Sequence, residues 1–126
     1  MTDDTPRIMA KEEGDLITVS MGGALNSATL PISRQLVDEI IKSHNIYQRT
    51  NLKILVDYKD VTDVDSSTIA NILERLTEHQ KHNHKIAFIN VSEEFKTIVQ
   101  LHKLEKEIPV FDSKQKALKA LLKPTQ

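Results

Sequence analysis

Between Leu52 and Tyr58 the chain carries three consecutive branched apolar residues, Ile54-Leu55-Val56. An apolar run this short suits a central strand covered on both faces. Such a strand needs layers on either side of it, and amphipathic segments flank it. Upstream, Ile32, Leu36, Val37, Ile40 and Ile41 fall on one helical face, with Pro31 near the helix start. Downstream, Ile69, Ile72, Leu73 and Leu76 follow the i, i+3, i+4, i+7 spacing of a second helix.

The remaining segments extend this pattern. Arg7–Lys11 and Asp15–Met21 read as strands joined by the turn Glu13-Gly14-Asp15, with Gly22-Gly23 ending the second. Asn45–Asn51 reads as a connecting loop, and so does Lys59–Val64. Lys85–Asn90 is a further strand. Ser92 caps a helix whose first turn holds Glu93 and Glu94. Phe95, Ile98 and Val99 form that helix's core side. Ile108–Phe111 reads as a last strand, placed at an edge because Pro109 cannot donate to a ladder. Asp112-Ser113 then caps a final helix with Ala117, Leu118, Leu121 and Leu122, stopped by Pro124. The order β-β-α-β-α-β-α-β-α predicts an α/β fold: a mixed, mainly parallel sheet with about four amphipathic helices. The 126 residues form one domain, with 1–6 and 123–126 expected as flexible tails.

Composition narrows the function. The formal net charge is −1, which gives no field to attract nucleic acid or an anionic membrane. There are no cysteines, so thiolate chemistry, disulfides and cysteine-based zinc sites are excluded. The acidic, polar start Met1-Thr2-Asp3-Asp4-Thr5-Pro6 does not resemble a secretory signal. No apolar stretch reaches the roughly 20 residues that span a bilayer, so direct membrane insertion is not expected. These features predict a cytoplasmic protein.

Catalytic patterns are few. GxGxxG, GxxxxGK[ST] and GxSxG are all missing, and no cofactor is expected. His79, His82 and His84 cluster where the second helix ends. A metal site is one reading, but solvated imidazoles suit a helix C-terminus and are preferred. Lys103, Lys106, Lys114, Lys116, Lys119 and Lys123 read as the solvated side of two helices rather than a basic docking face. Asp57, Asp60, Asp63 and Asp65 crowd the end of the central strand, the edge where open α/β sheets form sites. A magnesium site or an aspartyl-phosphate receiver with Asp57 as acceptor could be built there. A receiver would also want acids after the first hairpin, where Gly22-Gly23-Ala24-Leu25-Asn26 has none. Turn and cap roles serve these acids equally well. Asp65-Ser66-Ser67 opens a helix directly after that loop. Asp and Ser are strong caps, yet a hydroxyl here also lies beside amides able to hold a phosphate.

The segment Ile54-Leu55-Val56-Asp57-Tyr58-Lys59-Asp60-Val61-Thr62-Asp63-Val64-Asp65-Ser66-Ser67 resembles the strand, loop and Asp-Ser-Ser motif of the STAS domain family, of anti-sigma factor antagonist type. The resemblance runs from about Arg7 to Leu122. It includes Lys85–Ser92, Leu101-His102-Lys103-Leu104 and Val110–Leu118. It implies a non-enzymatic partner-switching regulator. Ser66 would be phosphorylated by a GHKL-type serine kinase that doubles as anti-sigma factor, and a PP2C-type phosphatase would remove the phosphate. Asp63, Asp65, Ser66, Ser67 and Thr68 would face the partner. One departure is Thr68-Ile69-Ala70, where the family commonly has Gly followed by Leu-Gly; this bears on how a partner docks. The alternative is a scaffold subunit without switching, in a stressosome or a membrane lipid-transport complex. A metal-dependent enzyme using the Asp cluster is the third reading, disfavoured because no nucleophile–base pair is evident.

Overall fold

In a computed structural model, which describes residues 4–123, the run Ile54-Leu55-Val56 does lie in a central strand. The chain opens with an antiparallel hairpin, β1 (Arg7–Glu13) and β2 (Leu16–Leu25), turned at Gly14 with φ of 63°. Then come α1 (Leu30–Ser43), a short 3-10 turn (Ile46–Gln48), β3 (Lys53–Val64), α2 (Ser66–Lys81), β4 (Lys85–Ile89), α3 (Glu93–Leu101), β5 (Val110–Phe111) and α4 (Lys114–Leu121). The five strands lie in sequence order, and β2 to β5 are parallel. β5 is an edge strand, as Pro109 requires.

That strand order decides where the helices go. Parallel strands are joined by right-handed crossovers. Because the order never reverses, α1, α2 and α3 all cross the same face. Ile17, Val19, Ile54, Val56, Ile86 and Phe88 point into that layer. α4 crosses nothing and packs on the opposite face, where Leu55, Ala87 and Ile89 meet Ala117 and Leu121. Ile54 and Leu55 are both buried, so the strand is covered on two sides as its sequence implies. Beyond α4 the second face opens to solvent, and Met9 on β1 is 74% exposed.

The structure corrects several sequence-based expectations. The segment Lys59–Val64 is strand, not loop, and β2 runs through Gly22-Gly23 to Leu25. β3 accommodates its extra residues by bulging: Ser20 pairs with Asp57 but Gly22 with Asp60, and Gly23 with Val61 but Ala24 with Asp63. The two glycines allow a second close approach. Residues 4–6 pack against β2: the Ala24 amide donates to the Asp4 carbonyl at 2.7 Å, and Pro6 is buried. A Cβ on Gly23, whose φ is 82°, would sit 2.3 Å from the Thr5 carbonyl oxygen. Residues 1–3 and 124–126, and with them Pro124, lie outside the described residues. On α1, Ile32 is 45% exposed and Ser33 is buried in its place. The connector Asn45–Asn51 is anchored by Ile46, which joins the core. Asn45, Asn51, Asn83 and Asn90 all take left-handed backbone angles, the conformation glycine usually supplies.

The histidines differ most from expectation. His79 and His84 are buried, each 8% exposed. The Arg49 carbonyl can only accept, so His84 Nε2 carries the proton and donates to it at 2.7 Å. Neutral His84 then has a bare Nδ1, which accepts from His79 Nδ1 at 2.9 Å. Tyr47 packs edge-on to His79 and stacks on His82, closing the C-terminal end of α2. A proton added to His84 Nδ1 would turn the shared bond into two opposed donors. Burial, and then the nearby His84, Arg75 and His82, lower the His79 pKa to about 4; Glu78 opposes this weakly. Burial lowers His84 as well.

Two measurements test this architecture. Ile54→Ala should cost about 2–5 kcal/mol in urea unfolding, and no loss would mean the strand is misplaced. The His79 pKa is lower folded than unfolded, so the unfolded chain binds the extra proton first. Stability is therefore complete above pH 6.5 and falls as pH drops toward 4. The loss at about 1.4 kcal/mol per pKa unit is about 3 kcal/mol. Unfolding curves across that window should show it, and His79→Gln should flatten the slope.

Candidate functional site

The parallel ends of β2 and β3 meet at the start of α2, and Asp65 ties them together. Its backbone is extended and its side chain caps the helix, with Oδ1 accepting from the Thr68 amide at 3.1 Å. The same oxygen accepts from the Ser67 hydroxyl at 2.6 Å. Oδ2 accepts from the Ser27 amide, just beyond β2, at 2.8 Å. Desolvation raises the Asp65 pKa, but the hydrogen bonds from Ser67, Ser27 and Thr68 outweigh it and hold the carboxyl below the ordinary range. The group is a carboxylate at neutral pH.

The other named residues divide by direction. Ser66 is the first residue of α2 and is exposed; among the described residues its hydroxyl makes no hydrogen bond. Ser67 is half-buried and turned to Asp65. Thr68 is buried, and its hydroxyl donates to the Leu25 carbonyl. Its side chain therefore points into the fold. Asp63 is half-buried and accepts from the Asn26 amide group at 2.8 Å.

Sequence reasoning missed the contribution of Asn26 and Ser27. Asn26 Oδ1 also accepts from the Ala28 and Thr29 amides at 3.0 and 3.1 Å, an Asx turn that leads into α1. The signal was an asparagine in a polar stretch directly ahead of a helix. The loop after β2 thus lies beside the start of α2, fastened by Asn26–Asp63 and Ser27–Asp65 bonds.

The Asp cluster does not converge. Asp57, on β3, accepts from the Lys59 amide at 2.8 Å and from Asn90 at 3.0 Å, while Asp60 is exposed. Asp63 and Asp65 serve the loop and the cap. Among the described residues no group of three or more acids, histidines or cysteines is placed to share a metal ion. The six C-terminal lysines, Lys103 to Lys123, are all exposed.

The site offers chemistry one free hydroxyl on the first turn of a fixed helix. First-turn amides lack intrahelical acceptors and carry positive dipole character, which favours an added anion. Ser67 and Thr68 are engaged, so of the three hydroxyls on this turn only that of Ser66 is without a hydrogen bond among the described residues. Asp65→Ala should cost about 1–2 kcal/mol and weaken amide protection at Ser27 and Thr68 in hydrogen exchange. Ser66→Ala should leave both unchanged.

Three comparisons place this geometry among known proteins. A comparison with curated proteins found no match. Solved structures share the fold: an anti-sigma factor antagonist from Mycobacterium paratuberculosis is 15% identical with a TM-score of 0.75, over 95% of this chain and 97% of that one. A protein of Thermotoga maritima described as a putative anti-sigma factor antagonist is 16% identical with a TM-score of 0.75, over 92% and 95%. The phosphorylated form of the Bacillus cell fate determinant SpoIIAA is 14% identical with a TM-score of 0.61, over 91% and 99%. At these identities the likeness shows the fold alone. The model of the STAS domain matches residues 7–117, from the first strand into the last helix, and the chain belongs to the STAS domain family.

Proposed function

We propose that the protein is a non-enzymatic partner-switching regulator of the anti-sigma factor antagonist kind, with Ser66 as its phosphorylation site. The observation that carries this is the contrast at the start of α2: Ser66 is exposed and unbonded, while Asp65, Ser67 and Thr68 are turned inward and hold the backbone. Family membership supports it, as does the existence of a phosphorylated form of SpoIIAA, a protein of the same fold. In this reading the unmodified protein docks a target through Ser66 and the neighbouring Asp63–Ser67 surface. The target is a GHKL-type serine kinase that also acts as anti-sigma factor. A PP2C-type phosphatase reverses the modification, and the exchange takes place in the cytoplasm. Among the described residues no helix is long and apolar enough to cross a membrane.

The physical basis of the switch is desolvation. A phosphoserine brings about −1.5 to −2 charge. The first turn of α2 tolerates it, because the helix is capped independently by Asp65. An interface that closes over the serine must bury that charge without a mate, at several kcal/mol.

Ser66→Ala should fold normally, bind the partner and resist phosphorylation. Ser66→Asp should fold and bind at least tenfold more weakly, a difference of about 1.4 kcal/mol or more. Ser67→Ala should have the smaller effect. The assay is a pull-down from native lysate with all variants, with the phosphosite mapped by mass spectrometry. If the phosphate lies elsewhere, or the Ser66 variants capture the same partners equally, the scaffold reading replaces this one.

A further inference from the structure

The helix layer does not fully cover the sheet. Val56 and Ile86, in the middle of β3 and β4, lie beneath helices yet are only half-buried. They face a cavity of about 120 Å³ between the sheet, α1 and α2, which parts the apolar core into two groups. Val37 and Ile40 of α1 line the opposite wall and are half-buried as well. At about 30 Å³ for each water-sized group, the space holds roughly four such groups.

The walls are apolar, and their polar members share one character. These are Ser33, Tyr58, Thr68, Asn71, Arg75 and His79, and no carboxylate is among them. Ser33 donates to the Leu30 carbonyl at 3.2 Å, Thr68 to the Leu25 carbonyl, and His79 to His84. Arg75 and Asn71 are half-buried on α2. Arg75 pairs with Asp38 of α1 at 2.7 Å, and the Asp38 side chain is 64% exposed. The cavity therefore meets solvent between the two helices at Arg75. The Tyr47 hydroxyl also lies beside Arg75; a guanidinium has five donors, so these two partners leave others available.

We infer that this cavity binds a short-chain aliphatic monocarboxylate, its tail among Val37, Val56 and Ile86 and its head on Arg75 and Asn71. The volume sets the tail length: about four carbons fill it. The lining sets the sign of the head group: Arg75 and Asn71 are its groups with donors to spare, and the acid paired with Arg75, Asp38, stands outside the lining. The site lies in the layer under α1 and α2, beneath the surface assigned to Ser66, and does not depend on phosphorylation.

Pentanoate, pentylammonium and acetate separate the two contributions. In amide chemical-shift titrations of the full chain, pentanoate should saturate, with the largest shifts at Val37, Val56, Arg75 and Ile86. Acetate lacks the tail and pentylammonium has the wrong charge; each should bind at least tenfold more weakly. Arg75→Gln should remove the preference for pentanoate over pentylammonium. Val37→Phe should fill the cavity and abolish binding while the melting transition stays cooperative; if it does not fold, Ser33→Leu fills the same space. The inference is overturned if pentanoate does not saturate, if it binds no better than pentylammonium, or if the filled variant binds it unchanged.

Discussion

Parallel strands cannot be joined by a tight turn, so the pairing of β2 with β3 obliges the chain to leave the sheet, cross it and return. That single ladder fixes the ground plan of the functional end of the molecule. It places the loop after β2 beside the start of α2, where Ser27 and Asn26 reach Asp65 and Asp63. The two bulges lengthen β3 against β2, so that both strands end together despite their unequal lengths. Gly22 and Gly23 keep this region thin enough for the N-terminal residues to cross it. The exposed hydroxyl of Ser66 owes its fixed position to this frame rather than to its own contacts.

Much of the frame was legible because hydrophobic periodicity reports on burial. Ile54-Leu55-Val56 announced a strand covered on both faces, and the helix spacing around it gave the crossovers. Lys59–Val64 was not legible as strand. Its polar composition is that of a loop, and its bulges break the two-residue alternation that would have marked it. The capping residues Asp65, Ser92 and Ser113 were readable from type and position, and all three accept the expected amide bond.

The histidines were misread for a different reason. A cluster of imidazoles near a helix end usually interacts with solvent and the helix dipole. Here two neutral rings satisfy one another and a carbonyl, which is possible only when their tautomers are matched. Sequence cannot express that complementarity, since it arises from Arg49, Tyr47 and two histidines meeting across three elements. Thr68 illustrates the same limit. It occupies a position named for its likeness to a docking motif, yet its β-hydroxyl finds the Leu25 carbonyl and joins the interior.

The unreversed order of the sheet also has a consequence for how the molecule forms. Each strand pairs with its neighbours in sequence, so each parallel pairing closes the loop of a single crossover. Closing one crossover at a time costs less entropy than bringing strands together across several. Folding can grow outward from β3 by adding one strand–helix unit at a time. Opening can proceed inward from either margin, with β1 or β5 detaching while the central pairs persist.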